Sequence, residues 1–164
     1  NILVTGCLVG VNPAGNAAAP NRVGIRVYGS NNTIGGTTDA ERNVVSGNPV
    51  VGILFEGTTA SGNNQVIGNY IGTDLAGTAA IGNGLDQVGN AGQGVRLAFG
   101  GGNVIGGPGA MGNVISGNRI GVLPVAMTST LRNNISAAAP FFTVRNCCVH
   151  SMLAQPATAS SQLP

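Results

Sequence analysis

A long internal repeat constrains this chain more than any other feature. Three short motifs return after a nearly constant interval of 70, 71 and 70 residues: Ser-Gly-Asn at 46–48 and 116–118, Ile-Gly-Gly at 34–36 and 105–107, and Gly-Ile-Arg-Val at 24–27, which returns as Gly-Val-Arg-Leu at 94–97. Each unit of such a repeat must bury its apolar face against the next unit. The chain is therefore predicted to form a stacked array.

Within the repeat, short apolar strings fall into three columns that follow one another in a fixed cyclic order. The columns are centred on Ile25, Ile53, Val95 and Val122, on Val4, Ile34, Val66 and Ile105, and on Val9, Val45, Ile71 and Ile115. Apolar residues alternate with others at 23–27 and 51–56, which is the period-two pattern of a strand with one buried face. The sequence predicts an all-β, right-handed parallel β-helix of about four three-stranded turns, with an irregular C-terminal tail.

Glycine and asparagine occupy the predicted corners between the strings. Gly-Asn pairs end at Asn48, Asn69 and Asn118, and both residue types tolerate the positive φ of a tight corner. Stacked asparagines also form hydrogen bonds from one layer to the next in cross-β structures. The sequence leaves two interpretations open, namely isolated turn formers and an asparagine ladder along the coil.

Composition favours a secreted or surface protein. Only 7% of the residues are charged, whereas about a quarter is usual. The net charge of +2 is small and scattered, so we expect no nucleic-acid partner, and no apolar run is long enough to predict a membrane span. The chain opens at Asn1 within the repeat and shows no signal peptide, so we expect it to be a piece of a longer protein.

The glycine pattern ends at Gly121, because all 28 glycines lie between Gly6 and Gly121. We therefore divide the chain into β-helix repeats at 1–121 and a glycine-free tail at 122–164. One interpretation of the tail is a cap that covers the open end of the solenoid. The other is a sequence foreign to the repeat, such as the product of a shifted reading frame, with too little apolar surface to become ordered.

The repeat carries motifs that resemble those of a known family. The run IGTDLAGTAAIGN at 71–83 is followed by NVIGG at 103–107 and NVISGN at 113–118. These motifs are similar to the parallel β-helix repeats of large bacterial secreted and cell-surface proteins with pectate-lyase-like architecture. The resemblance covers 1–121 and implies a fold and an extracellular location more than an activity. The first copy departs from it, because Asn12 replaces Asp74 and Cys7 replaces Asn69.

Two long loops, at 10–22 and 72–93, alternate with tight corners and form the first candidate surface. Stacked strands lie about 4.8 Å apart, so loops from alternate turns are expected about 10 Å apart on one side. Because loops often carry function, Asp74 is a candidate carbohydrate-binding residue. The alternatives are that the loops are tolerated insertions and that Asp74 forms an Asx turn. A calcium ion would need more oxygen ligands than this one carboxylate supplies.

Arg26 and Arg96 form the second candidate surface. Both are predicted to point outward from the first column, two turns apart, with Leu54 between them. Because arginine binds carboxylates bidentately, the pair suits an acidic polysaccharide. Exposed arginines are also common on surfaces that bind nothing, and the sequence does not decide between the two interpretations.

Catalytic and metal sites have less support. Glycoside cleavage requires two facing carboxylates, but Asp39 and Glu41 have no acidic counterpart in the equivalent corner at 108–112. Cys147, Cys148 and the single histidine, His150, are too few for a zinc site, and Cys7 is predicted to be a small buried side chain. We predict no catalytic residue, no metal site and no cofactor.

The sequence thus predicts a structural or adhesive scaffold that contacts a polysaccharide or a cell-surface glycan. The alternative function is that of a polysaccharide lyase or hydrolase of the pectate-lyase-like class that acts on acidic glycans. Self-association is a further expectation, because the open ends of a solenoid expose unpaired strand edges.

Overall fold

A computed structural model of the chain describes residues 1–58, 60–84, 92–125 and 129–134. No helix in these residues is long and apolar enough to cross a membrane. The strands are β1 (Leu3–Val4), β2 (Leu8–Val9), β3 (Val23–Tyr28), β4 (Thr33–Gly35), β5 (Val44–Val45), β6 (Val51–Glu56), β7 (Gln65–Ile67), β8 (Tyr70–Ile71), β9 (Gln93–Leu97), β10 (Asn103–Ile105), β11 (Val114–Ile115), β12 (Ile120–Pro124) and β13 (Ser129–Leu131). Two single 3-10 turns, Asp39–Glu41 and Gly109–Met111, complete the regular elements of the described chain.

The strands form three parallel sheets that run along the coil. Sheet A contains β1, β4, β7, β10 and β13, sheet B contains β2, β5, β8 and β11, and sheet C contains β3, β6, β9 and β12. Each strand pairs in parallel with the strand one turn later. A rung is one strand of each sheet in the order A, B, C, so the described chain contains four rungs and the first strand of a fifth. The predicted all-β parallel β-helix is confirmed.

The strand register confirms the three apolar columns. In sheet C, Ile25 pairs with Ile53 and Ile53 pairs with Val95, which in turn pairs with Val122. The columns in sheets A and B are aligned in the same way. One continuous core results, and its buried members are Ile34, Val45, Ile53, Phe55, Val66, Ile71, Val95, Leu97, Ile105, Ile115 and Val122.

An asparagine ladder follows each of the three corners of the coil. In each ladder the backbone N–H and the Nδ2–H of one asparagine both donate to the Oδ1 of the asparagine one rung later, at 2.9–3.2 Å. The ladder interpretation is therefore confirmed. The A–B ladder contains Asn43, Asn69, Asn113 and Asn134, the B–C ladder Asn48, Asn83 and Asn118, and the C–A ladder Asn32, Asn64 and Asn103.

The ladders also satisfy backbone carbonyls that the corners turn away from the sheets. Asn69 Nδ2, for example, donates to the carbonyls of Ile34 and Ile67, at 2.9 Å each. An unpaired buried carbonyl would be costly, so a short side chain with both a donor and an acceptor suits these corners. The repeated asparagines are therefore structural residues of the coil.

The described part of the glycine-free tail is joined to the coil. Strand β12 crosses Gly121 and pairs with β9, while β13 pairs with β10. Asn134 continues the A–B ladder, because its Oδ1 accepts two hydrogen bonds from Asn113. Residues 135–164, with Cys147, Cys148 and His150, lie outside the described residues. The division at 121, the cap and the shifted reading frame stay predictions.

The prediction that Cys7 is buried is wrong, because the Cys7 side chain is exposed. Its backbone N–H donates to Asn43 Oδ1 at 2.9 Å, so Cys7 does occupy a ladder position, in rung one. In the described chain only rung two packs against rung one. The side chain is therefore left uncovered on its other side.

The rungs are of two alternating kinds. In the odd rungs the A–B corner is short and contains a glycine with positive φ, Gly6 or Gly68. In the even rungs the same corner contains a 3-10 turn, and the N–H of each short-corner glycine donates to the carbonyl of Glu41 or Met111 in the following turn. The B–C corner is long in rungs one and three and tight in rungs two and four. One odd and one even rung together make the repeat of about 70 residues.

Candidate functional site

A row of four residues crosses the outer face of sheet C. Arg26 pairs in register with Leu54, Leu54 with Arg96, and Arg96 with Leu123. We call these four residues the arginine row. Because parallel strands lie about 4.8 Å apart, the backbones of the two arginines are about 10 Å apart. The structure thus places Arg26 and Arg96 on one face with Leu54 between them, as the sequence predicts.

The two arginines have different surroundings. The side chain of Arg26 is 49% exposed, and its Nε lies 3.6 Å from Glu56 Oε2. Arg96 is half-buried, and its buried Nε has no hydrogen-bond partner in the described structure. An unpaired buried donor carries a desolvation cost. The charge of Arg26 is therefore partly balanced, whereas Arg96 keeps an unused donor.

Apolar and aromatic groups lie beside the arginines. Leu54 is only 6% exposed although it lies between two residues at the surface of the sheet. Tyr28, the next residue after Arg26 on the same face of β3, is 63% exposed and pairs in register with Glu56. A tyrosine at the surface offers an apolar ring and a hydroxyl together. Tyr28 is not among the site residues predicted from the sequence, although its position two residues after Arg26 places it on the same face of the predicted strand.

Asp74 lies in a hairpin of the B–C corner of rung three. An antiparallel bridge between Thr73 and Ala80 closes this hairpin. Asp74 Oδ1 accepts hydrogen bonds from the N–H groups of Thr78 and Ala79, at 2.7 and 3.0 Å. The N–H of Ala79 first, and then that of Thr78, lower the pKa of this carboxyl group from its ordinary value. The carboxylate therefore caps its own hairpin.

The hairpin of rung one shows that an amide can do the same. Asn12 Oδ1 accepts hydrogen bonds from the N–H groups of Asn16 and Ala17, at 3.0 and 3.3 Å. An antiparallel bridge between Val11 and Ala18 closes this second hairpin. The two copies of the repeat thus differ at this position, with Asn12 in the first and Asp74 in the second, but both side chains cap their hairpin in the same way. A contribution of Asp74 to carbohydrate binding stays a prediction.

The two hairpins contact each other directly. The N–H of Leu75 donates to the carbonyl of Gly15 at 2.8 Å, and the corner of rung two lies beneath, where the N–H of Gly47 donates to the carbonyl of Ile81 at 2.8 Å. The sequence predicts the two loops about 10 Å apart on one side of the coil. The described parts of the two loops meet across rung two, so together they form one continuous surface, which we call the ledge.

The ledge lies beside sheet B. A Cβ atom added to Gly77 would lie 2.7 Å from Tyr70 Cε2, so the hairpin of rung three rests on the Tyr70 ring. Arg42 Cζ lies 4.3 Å from the centre of the same ring, and Arg42 also forms an ion pair with Asp39 at 2.6 Å. The structure therefore brings Arg26 and Arg96 together but places Asp74 with a different sheet.

Each carboxylate of the described residues already has a partner. Asp39 pairs with Arg42, Glu56 with Arg26, and Asp74 with its hairpin. Glu41 Oε2 accepts the N–H groups of Thr37 and Thr38, at 2.9 and 3.0 Å, and these bonds lower the pKa of Glu41. Asp86 lies outside the described residues. Within the described ranges, no three Cys, His, Asp or Glu side chains form a group that could hold a metal ion.

We compared the chain with known proteins at three levels. Models of protein families, the curated proteins and the solved structures all give no match. The parallel β-helix therefore stands on the geometry of the three sheets, and the membership of the pectate-lyase-like superfamily stays an expectation.

Proposed function

We propose that this chain is part of a bacterial secreted or cell-surface scaffold that binds an acidic polysaccharide along the outer face of sheet C. The observation that carries the proposal is the arginine row. Arg26 and Arg96 stand two rungs apart on paired strands, and both side chains reach the surface of sheet C. A carboxylate of the ligand would pair with each guanidinium group through charge-assisted hydrogen bonds.

The geometry of the sheet suits an extended polymer that runs parallel to the coil axis. Strands of a stacked sheet keep their spacing, so the backbones of the two arginines are held about 10 Å apart, near the length of two sugar rings. A uronan could then place every second carboxylate beside an arginine. Leu54 is nearly covered between the two arginines, and the exposed Tyr28 offers a ring two residues after Arg26 on β3.

The scaffold role is supported by the way in which the coil is built. Ten asparagines of the described residues are used in the three ladders that hold the corners of the coil. The first rung exposes Ile2 and Leu3, by 64 and 65%, beside the unpaired edge of β1. Such an edge favours association with another strand, and we include self-association through the ends of the coil in the proposal.

The rival function, cleavage of an acidic glycan, has less support. It requires two free carboxylates at a suitable distance. In the described chain, Asp39, Glu41, Glu56 and Asp74 are each held by a neighbouring group. Binding therefore explains the site with fewer assumptions than catalysis does.

The test is retention of the protein on immobilised polygalacturonate and alginate. Replacement of Arg26 and Arg96 by alanine is expected to weaken retention about tenfold or more for each arginine, because a hydrogen bond to a charged group contributes about 1.5–3 kcal/mol. The matched control is the replacement of Arg119 and Arg132, which removes the same charge from outside the arginine row. Equal retention of both double variants contradicts the proposal, and a neutral dextran should retain none of the proteins.

Product assays separate binding from cleavage. The unchanged protein is incubated with both uronans, and unsaturated products and new reducing ends are measured. We expect neither product. The appearance of either product would contradict the scaffold function and favour the alternative function, that of a lyase or hydrolase.

A further inference from the structure

The dipeptide of this chain that is most prone to deamidation lies in the B–C ladder. Asn83-Gly84 is the single Asn-Gly pair of the sequence. Asparagine followed by glycine is prone to spontaneous deamidation, because glycine lets its backbone nitrogen approach the asparagine Cγ without steric hindrance. The other nine ladder asparagines precede larger residues: threonine, glutamine, valine, tyrosine, isoleucine, proline or arginine.

The folded structure blocks the atoms that would react. Asn83 is fully buried, and its Oδ1 accepts hydrogen bonds from the backbone N–H and the Nδ2 of Asn48, at 3.1 and 2.9 Å. Its Nδ2 donates to the Val45 carbonyl at 2.8 Å and to Asn118 Oδ1 at 2.9 Å. The attacking nitrogen is engaged as well, because the N–H of Gly84 donates to the Asn48 carbonyl at 2.6 Å.

We propose that Asn83 is a modification site whose deamidation is controlled by opening of rung three. Once the rung opens, the Gly84 nitrogen attacks Asn83 Cγ, a C–N bond forms, the Cγ–Nδ2 bond breaks, and ammonia leaves with the proton of the Gly84 amide. Water then opens the cyclic imide at one of its two carbonyls and gives aspartate or isoaspartate. The balance is one water consumed and one ammonia released, with no oxidant or reductant.

The product does not fit the ladder. An aspartate at position 83 has lost both hydrogens that reach the Val45 carbonyl and Asn118 Oδ1, so two pairs of acceptors face each other in a buried site. Isoaspartate also adds an atom to the backbone and shifts the chain that follows. Opening of rung three therefore becomes irreversible once the reaction has occurred.

The fold itself maintains this vulnerable pair. Gly84 has φ of 75°, and a Cβ atom at Gly84 would overlap the backbone of Gly92. A larger residue at 84 would protect Asn83 chemically, but it would separate two chain segments that lie in contact. The corner needs glycine for its geometry, and the ladder needs asparagine for its hydrogen bonds.

The test compares the unchanged full chain in buffer and in concentrated urea at mildly alkaline pH. Peptide mass mapping follows the conversion of Asn83, and Asn48 and Asn118 serve as internal controls because they share the ladder but precede proline and arginine. We expect conversion of Asn83 in the folded chain to be about tenfold or more slower, since it must await local opening. Similar rates in the two states, or faster conversion at either control position, would overturn the proposal.

A refolding experiment tests the consequence. Chains aged in urea are diluted into buffer, and we expect the yield of folded protein to fall in proportion to the converted fraction, with unmodified Asn83 enriched among the folded molecules. The Asn83→Asp variant is expected to reproduce the loss. Refolding of the aged chains with full yield and an unchanged melting temperature would contradict it, whether or not the variant folds.

Discussion

The odd and the even rungs share one interior but differ in their surfaces. Rungs one and three carry the long hairpins and the arginines of the row, whereas rungs two and four carry the 3-10 turns, tight corners and the leucines of the row. Core columns and ladders pass through both kinds without interruption. Surface groups that could recognise a ligand therefore recur with every second rung, and the even rungs hold them at a fixed spacing.

The largest expected effect tests whether the interior is truly the same in both kinds of rung. Asn69→Ala in rung three and Asn113→Ala in rung four should each lower the free energy of unfolding by about 3–5 kcal/mol, because several buried donors and acceptors lose their partners. Asn69, for example, accepts two hydrogen bonds from Asn43 and donates to Asn113. Urea unfolding followed by circular dichroism measures the change.

Cys7 provides the matched control for the ladder. It occupies the same ladder position in rung one but is exposed, so Cys7→Ala should change stability by less than about 0.5 kcal/mol. If Asn113→Ala cost as little as Cys7→Ala while Asn69→Ala stayed costly, the even rungs would not share the ladder energetics, and the comparison would fail.

The second effect separates backbone conformation from close packing. Gly72, at the start of the rung-three hairpin, has φ of 91°, and an added Cβ atom would overlap the Ser116 carbonyl of rung four. Gly109, in the 3-10 turn of rung four, has φ of 56° with open space around an added Cβ atom. We expect Gly109→Ala to cost about 1–2 kcal/mol and Gly72→Ala about 3 kcal/mol or more. Equal losses of the two variants in urea unfolding would show that the hairpin base is not closely packed.

Much of this interior could be predicted from the sequence, because burial leaves a direct pattern. Ile25, Ile53 and Val95 each follow a glycine and lie within alternating strings, so the sequence predicts both their apolar column and the register of the strands in sheet C. The ladder was only partly predicted. Asn48, Asn69 and Asn118 stand in conspicuous Gly-Asn pairs, but Asn32, Asn43 and Asn64 follow other residues and give no local signal of stacking.

The surface was less predictable, because it depends on which side chains meet across rungs. The outward row of Arg26, Leu54 and Arg96 followed from the alternation, yet the ion pair of Arg26 with Glu56 requires the actual side-chain directions. The exposure of Cys7 depends on its place at an end of the described coil. The contact of the two hairpins depends on the path of each loop outside the sheets, for which the sequence has no periodic pattern.

A smaller, stabilising effect is expected where rung five departs from the asparagine pattern. Ser129 takes the ladder position next to Asn103, whose buried Nδ2 has no hydrogen-bond partner in the described structure. Ser129→Asn should supply an Oδ1 at that position and raise the free energy of unfolding by about 1 kcal/mol. Thr130→Asn, one residue later on the other face of β13, is the control and should not stabilise. A gain in both variants would show that the ladder is not its cause.

The smallest effect distinguishes the two odd rungs from each other through pH. The pKa of Asp74 is lowered in the folded state, so the unfolded chain binds the proton more strongly. Its contribution to stability is therefore fully present above the unfolded pKa and is lost as the pH falls through the folded pKa. Rung one has the neutral Asn12 in the same role, and its hairpin should not respond to acid.

Asp74→Asn should therefore leave the melting temperature nearly unchanged at neutral pH and reduce its decline in acid. The effect is small because the carboxylate is close to solvent. Glu41, in the A–B corner of rung two, also has a lowered pKa, so its protonation should cause a separate decline of the melting temperature in acid. Glu41→Gln added to Asp74→Asn should therefore remove a further part of this decline. If Asp74→Asn left the acid slope of the melting temperature unchanged while Glu41→Gln reduced it, the cap of the rung-three hairpin would contribute nothing to stability. The two odd-rung hairpins would then be equivalent because neither depends on the charge at this position.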